Sequence, residues 1–371
     1  MAKNKKFSKG LAIFLAIICF FVGAAGGFYG YFRATMPTIS DTYDINANSR
    51  GKGEVSITFL ELGNKYTGDC TYIKVGDVDI LIDAGSKTSS VATIDSYLKK
   101  HVTDGTLEYV IVTHAHEDHY AGFATNEDAN SIFDLYECEM IIDFSQITEG
   151  KSEKKMYKNY IRERDAEVKA GAKHLTAAQC MEQGKNKFDL GNDAELEILD
   201  SYYYYNVASS ENDHSVCVMI NQGERHFLFT GDLEKDGEEK LVQLNKLPKV
   251  EVYKAGHHGS KTSSTSTLLA KIKPEIVCVC CCAGSPEYTK TIENQFPTQD
   301  FINRIAPYTD KVYVTTLCID YKNNKFESMN GNICIKSNLK GVSVNCSNNN
   351  TILRETTWFK QTRECPKAWE K

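Results

Sequence analysis

Apolar positions in this chain fall into short β-branched runs separated by turn residues and by stretches with helical spacing. Residues 55–60, 70–75 and 78–82 read as an opening set of strands. A helix is expected over 91–101, followed by the apolar run Tyr109-Val110-Ile111-Val112, whose composition is that of a buried strand. Another strand falls near 139–142. Residues 152–173 are charged but place Met156, Tyr160 and Ile161 at helical spacing, which predicts an amphipathic helix with a solvated face. Strands are expected again at 196–199, 215–220 and 226–230, then a helix over 237–244. Strands alternating with helices define an α/β class. From Lys311 onward, residues 311–345 read as closing strands and 346–371 as a loose C-terminal extension with Asn-rich turns.

The first forty residues follow a different pattern. Lys3, Lys5, Lys6 and Lys9 precede an uncharged run of 22 residues from Leu11 to Phe32. A helix of that length spans a bilayer core, and the basic flank keeps the N-terminus on the cytoplasmic side. Residues 1–35 are therefore expected to form a single-pass signal anchor, 36–53 a linker and 54–345 the folded domain. That topology puts the domain outside a bacterial cell membrane, with the bilayer as the chain's first partner. A cleavable signal peptide is the competing reading, since Gly23 to Gly27 offer small residues for cleavage. Both readings export the domain.

Charge narrows what an exported domain would attract. The chain carries a net −6, and setting aside the four N-terminal lysines leaves −10. An acidic domain has no general field for nucleic acid. Any polyanion contact must then be local, around Lys254, Lys261, Lys271 and Lys273. Of 13 cysteines, Cys278, Cys280, Cys281 and Cys282 lie in an apolar run that reads as a core strand. Ligands at consecutive strand positions point to opposite faces, so these read as small apolar side chains rather than a metal site. Pairing among Cys318, Cys334, Cys346 and Cys365 stays open.

Candidate chemistry is concentrated in Thr113-His114-Ala115-His116-Glu117-Asp118-His119. Three imidazoles and a carboxylate sit on the loop leaving a buried strand. Alternation in a still-extended chain points His114 and His116 to one side, and the turn at Asp118 and His119 presents a second pair nearby. Two such pairs suit a two-metal centre, with ions about 3.5–4 Å apart.

This heptad resembles the signature of the metallo-β-lactamase superfamily, and further segments resemble the superfamily in the same order. Ile80-Leu81-Ile82-Asp83-Ala84-Gly85 is similar to its first motif, and Phe227-Leu228-Phe229-Thr230-Gly231-Asp232 to the strand delivering a bridging aspartate. Gly256-His257-His258-Gly259-Ser260-Lys261-Thr262-Ser263 resembles the narrower form found in the ComEC family of DNA-uptake channel proteins. Glu211-Asn212-Asp213-His214-Ser215 is similar to the same subfamily. The resemblance covers roughly 54–345 and departs at Gly63–Cys70, which is longer, and at Gln295-Phe296-Pro297, where a histidine is lost.

The resemblance implies a four-layer αβ/βα metallo-β-lactamase sandwich, here preceded by one transmembrane helix. It also implies two divalent ions, Zn2+ or Mn2+. His114 and His116 would bind the first ion; Asp118, His119 and His257 the second, with Asp232 bridging. Asp83 would orient a ligand by hydrogen bonding. His214 is a candidate for the first ion's third nitrogen or a turn residue, and His258 a proton donor or a partner of a ligand. Catalytic roles would fall to Asp118, Asp232 and His258. Ser260, Lys261, Thr262 and Ser263 could hold phosphate oxygens or simply start a helix. The leading expectation is an anchored, exported hydrolase using metal-activated water on a phosphodiester, DNA included. The alternatives are hydrolysis of another exported ester or amide, such as a cell-wall phosphodiester, and a non-catalytic module that captures DNA or a surface polymer.

Overall fold

The computed structural model describes residues 53–124 and 130–370. The expected anchor and most of the linker lie outside these residues, and among the described residues no helix is long and apolar enough to cross a membrane. The strands run β1 (Val55–Phe59), β2 (Thr71–Val75), β3 (Val78–Ile82), β4 (Thr106–Val112), β5 (Glu137–Asp143) and β6 (Lys173–Thr176). They continue as β7 (Lys187–Gly191), β8 (Ala194–Ile198), β9 (Val218–Gln222), β10 (Arg225–Phe229) and β11 (Val252–Lys254). The set closes with β12 (Ile276–Ala283), β13 (Val312–Asp320), β14 (Lys325–Ser328), β15 (Ile333–Asn338) and β16 (Gly341–Cys346).

They form two eight-stranded sheets, ordered β16-β15-β1-β2-β3-β4-β5-β6 and β14-β13-β12-β11-β10-β9-β8-β7. The first sheet is antiparallel on one side and parallel on the other, and the second is parallel in its middle and antiparallel toward both edges. In the first, β3, β4, β5 and β6 are mutually parallel. In the second, β10, β11, β12 and β13 are. Parallel neighbours need a crossover, and helices supply it: Val91–Leu98 lies between β3 and β4, and Ser266–Ile272 between β11 and β12.

The core explains the chain's apolar runs. Phe227, Phe229, Val252, Cys278 and Cys280 join the first sheet's Ile57, Phe59, Ile80 and Ile111 in the layer between the sheets. The alternate residues Leu228, Tyr253, Val277, Val279 and Cys281 pack on the other face against Leu241, Leu268, Leu269 and Phe301 of the covering helices. Strands buried on both faces lose the polar alternation of a half-exposed sheet, which is why β12 is apolar throughout. Its cysteines serve as small core residues on both faces, and every described cysteine is free. The register slips between Val279 and Cys282 against β13.

The closing strands divide between the two sheets, and one expectation changes at the C-terminus. β15 crosses back to pair with β1 in the first sheet. The segment expected to be loose is packed: Leu353, Phe359 and Trp369 are buried in the second sheet's outer core. Single apolar residues spaced between polar turns give no periodic signal, so the sequence pattern hid this docking.

Candidate metal centre

All the motif residues gather at the carboxyl ends of parallel strands. Asp83 follows β3, His114 to His119 follow β4, Asp232 follows β10, and the His257-His258 pair follows β11. The loop after β12 arches over them. The carboxyl ends of parallel strands are where open α/β sheets place their sites.

Asp83 is set by the β3–β4 register, its backbone N–H donating to Ile111 at 2.9 Å. Its own φ of 59° turns the carboxylate back under β4. There it accepts from the Thr113 N–H and hydroxyl, both at 2.8 Å, and from His119 Nδ1 at 2.7 Å. His119 sits on the one-turn helix Glu117–Tyr120, so its Nε2 faces the opposite way, 3.1 Å from Asp232 Oδ2. Asp83 thus holds the His119 imidazole by a hydrogen bond to Nδ1.

Asp232 is placed by a glycine that has no substitute. Gly231 has φ 53°, and a Cβ there would lie 2.7 Å from Ser215 Oγ and 3.0 Å from Thr113 Cβ. The Asp232 N–H donates to Ser215 Oγ at 3.1 Å. Its Oδ2 lies 3.2 Å from His258 Nε2, and that nitrogen is 3.5 Å from Asp118 Oδ2. Asp118, His119, Asp232 and His258 form one group whose ligand atoms all lie within 4.8 Å of one another.

His258, not His257, therefore occupies the inward position. Both residues have left-handed backbones, with φ of 45° and 55°. The first imidazole is turned outward, half-buried, with Nδ1 3.3 Å from Glu234 and 3.2 Å from Thr262 Oγ1. Neighbouring histidines on an unusual turn cannot be ranked by alternation, so the sequence left this choice to family position.

His114 and His116 stand beside the group, their rings 4.8 Å apart and His114 4.2 Å from His119. His114 Nε2 lies 3.0 Å from His116 Nδ1. His214 is buried but turned aside: its Nε2 accepts the Ala208 N–H at 2.9 Å. Ser215 takes the place next to His114, its hydroxyl 3.4 Å from His114 Nδ1.

Electrostatics agree with a cation-binding centre. Burial drives the His114 imidazole well below the usual histidine range, and the charges of His119 and His116 add to it. Burial likewise lowers His116, so this pair is neutral and ready to donate lone pairs. Burial opposes protonation of His119 and His258, but Asp232 with Asp83 in one case, and Asp232 with Asp69 in the other, hold both rings well above it. Protons here balance carboxylates, and a divalent ion would replace them. His119 Nε2, His258 Nε2 and Asp232 Oδ1 are buried without a hydrogen-bond partner. Unpartnered buried donors and acceptors are costly unless a ligand completes them, so this nitrogen and oxygen set fits a divalent metal.

The candidate phosphate loop has other partners. Ser263 Oγ donates to Leu233 O at 2.8 Å, and the buried Glu238 carboxylate accepts the Ser264 and Thr265 N–H groups at 2.5 and 2.7 Å. The start of the helix is thus already occupied by a carboxyl group of the chain itself. Arg304 binds the carbonyls of Ser260, Lys261, Ser263 and Ser264. Ser260 Oγ lies 3.1 Å from Thr262 Oγ1, which donates to Glu234. Lys261 is the exposed cation of the loop. Lys254, expected to face a polyanion, is instead buried against Asp69 and 3.7 Å from Asp232.

Sequence reasoning missed Asp69, the inward role of Lys254, and Tyr288, whose hydroxyl reaches Asp118. One signal was present: a lysine within the apolar strand Val252–Lys254 has to find a buried carboxylate.

Comparison with known proteins agrees with this fold. The profile of the metallo-β-lactamase superfamily matches residues 63–125 and 209–283, which contain every ligand-type residue of the centre. These two segments are similar to a metallo-β-lactamase domain. Among curated proteins, the chain is 28% identical over 121 residues to Recombination protein 2 of Haemophilus influenzae, which is 33% of this chain and 14% of that protein. It is 34% identical over 67 residues to ComE operon protein 3 of Bacillus subtilis, 18% of this chain and 9% of the relative. It is 32% identical over 108 residues to Competence protein ComA of Neisseria gonorrhoeae, 29% of this chain and 15% of the relative. The matched part is thus a small fraction of each relative's length. Among solved structures, the metallo-β-lactamase fold protein YhfI from Bacillus subtilis aligns with a TM-score of 0.40 at 10% identity, over 73% of this chain and 99% of that one.

Proposed function

We propose that this domain is a metal-dependent phosphodiesterase, held at the outer face of a cell membrane by its N-terminal segment, with DNA among its candidate substrates. One observation carries the reading: buried, unpartnered nitrogen and oxygen atoms of His119, His258 and Asp232 converge with Asp118 on one point. Asp118, His119, Asp232 and His258 would hold one ion, and His114 and His116, with Asp232 shared, the other. Zinc or manganese suits this donor set. Bound there, such ions supply Lewis acidity and a water activated at neutral pH.

The chain's own residues do the rest. Asp83 holds His119 in one orientation through Nδ1. Arg304 fixes the loop that carries Lys261, whose ammonium can meet a phosphate oxygen outside the centre. Tyr288 closes one side with a hydroxyl directed at Asp118. The relatives named above include a recombination protein and a competence protein, which supports a nucleic acid substrate, while the chain's negative charge leaves cell-surface phosphodiesters as the competing class.

The test is hydrolysis of bis-p-nitrophenyl phosphate and of single-stranded DNA by the full chain, stripped of metal and reloaded with zinc or manganese. Metal-dependent cleavage of both is expected, with loss on Asp232→Asn. Binding of DNA without turnover in any loaded form would replace the enzyme with a capture module.

A further inference from the structure

The Asp69–Lys254 ion pair lies directly behind the candidate ligands, and no motif assigns it a role. Asp69 and Lys254 are about as buried as the ligands themselves. Asp69 Oδ1 lies 3.2 Å from His258 Nδ1, and Oδ2 lies 3.7 Å from His119 Nδ1. These are the ring nitrogens pointing away from the centre. The backbone locks Asp69 in place, its N–H donating to Asp118 O at 3.0 Å and its carbonyl accepting from Gly85 at 2.6 Å. One carboxylate therefore stands behind both imidazoles of the four-residue group, whose Nδ1 atoms are bonded to Asp83 at 2.7 Å and to the Cys280 carbonyl at 2.9 Å.

Lys254 faces two ways. Its ammonium pairs with Asp69, donates to Gly231 O at 3.3 Å, and lies 3.7 Å from Asp232 Oδ1. That Asp232 oxygen has no hydrogen-bond partner. A buried ammonium deprived of Asp69 has one carboxylate left within reach, Asp232, and there it competes directly with a divalent cation. The charge of a carboxylate behind an imidazole also strengthens the ring as a ligand, beside the Asp83 and Cys280 bonds that set the tautomers. Both effects of Asp69 act on the group of Asp118, His119, Asp232 and His258. His114 and His116 make no ion pair with either member.

We propose that Asp69 is a positioning residue for one of the two metal positions: it backs His119 and His258 and holds the Lys254 ammonium off Asp232. The inference rests on the two-ion reading of the site. It predicts an asymmetric defect, in which one ion is weakened and the other is kept.

The experiment is metal titration of the full chain by calorimetry, with bound zinc counted by elemental analysis and folding followed by thermal melting. Asp69→Asn should weaken one of two zinc ions by about 10- to 100-fold, the range for altering a group that backs the ligands. The other ion should change by less than about threefold, a small step next to that loss. Asp69→Asn with Lys254→Met should recover part of the lost affinity, because the competing ammonium is gone. A merely structural role for Asp69 would make the double variant worse. Lys254→Met alone, which adds net negative charge beside the ligands, should bind zinc at least as tightly as the unaltered chain. Equal loss of both ions in Asp69→Asn, no recovery in the double variant, or weakened binding in Lys254→Met overturns the proposal. Fewer than two ions in the unaltered chain would instead overturn the two-ion reading on which it stands.

Discussion

Tyr288 donates its hydroxyl to Asp118 Oδ2 at 2.8 Å, the same oxygen that lies 3.5 Å from His258 Nε2. The Tyr288 ring is exposed and packs on Phe296 with centroids 5.5 Å apart. Burial of the hydroxyl, and then the charge of Asp118, push the phenol's pKa up, so it stays a donor at the mouth of the centre. Tyr288→Phe removes this donor and keeps the ring. A fall in kcat of roughly 100-fold is expected, the low end of what one lost donor at a developing charge costs. Metal content should not change, and elemental analysis beside steady-state kinetics checks both.

The two neighbouring histidines should behave differently. His258→Ala removes a group from the inner set and should lower zinc stoichiometry at fixed free metal. His257→Ala removes a half-exposed ring bonded to Glu234 and Thr262, and should leave stoichiometry unchanged. Metal counting on the two variants distinguishes them, and equal loss would put both rings on the ions.

Glu238 gives the domain a pH-dependent stability. Burial raises its pKa from 4.5 to about 7, although it accepts N–H groups from Ser264 and Thr265. A carboxyl that holds its proton more tightly when folded stabilises fully below about pH 4.5 and loses that contribution as pH rises through about 7. At about 1.4 kcal/mol per pKa unit the swing is roughly 3 kcal/mol. Glu238→Gln should flatten the slope of unfolding free energy between those pH values, measured by urea denaturation.

Metal removal should lower the melting temperature. A ligand at about a hundred times its Kd stabilises the folded state by about 2.7 kcal/mol. Chelation of the loaded chain should therefore shift the melt downward, and Asp232→Asn should show a smaller shift because it binds less metal.

Much of this was legible in the sequence, and the parts that were not share a cause. The run Tyr109-Val110-Ile111-Val112 ends in His114 as a buried strand should, and β3 delivers Asp83 where its apolar run stops. Those positions follow from local periodicity. Which of His257 and His258 turns inward depends on two left-handed residues after β11, and no periodicity encodes that. Ser263 looked like an anion ligand because its neighbours are polar, yet Glu238, some 25 residues earlier, already fills the helix start. Long-range partners such as Arg304 for the Ser260–Ser264 carbonyls are set by packing of separate helices, and local sequence carries no trace of them.

The cysteines of β12 bear on how this protein can be handled once it unfolds. Burial pushes the thiols of Cys278, Cys280, Cys281 and Cys282 up, so in the native state they are neither nucleophiles nor accessible. Unfolding releases all four within five residues, where air oxidation can join them in wrong pairs faster than the sheet reforms. Without reductant, denaturation then becomes a one-way process whose half-life, rather than an equilibrium constant, describes how long the domain survives.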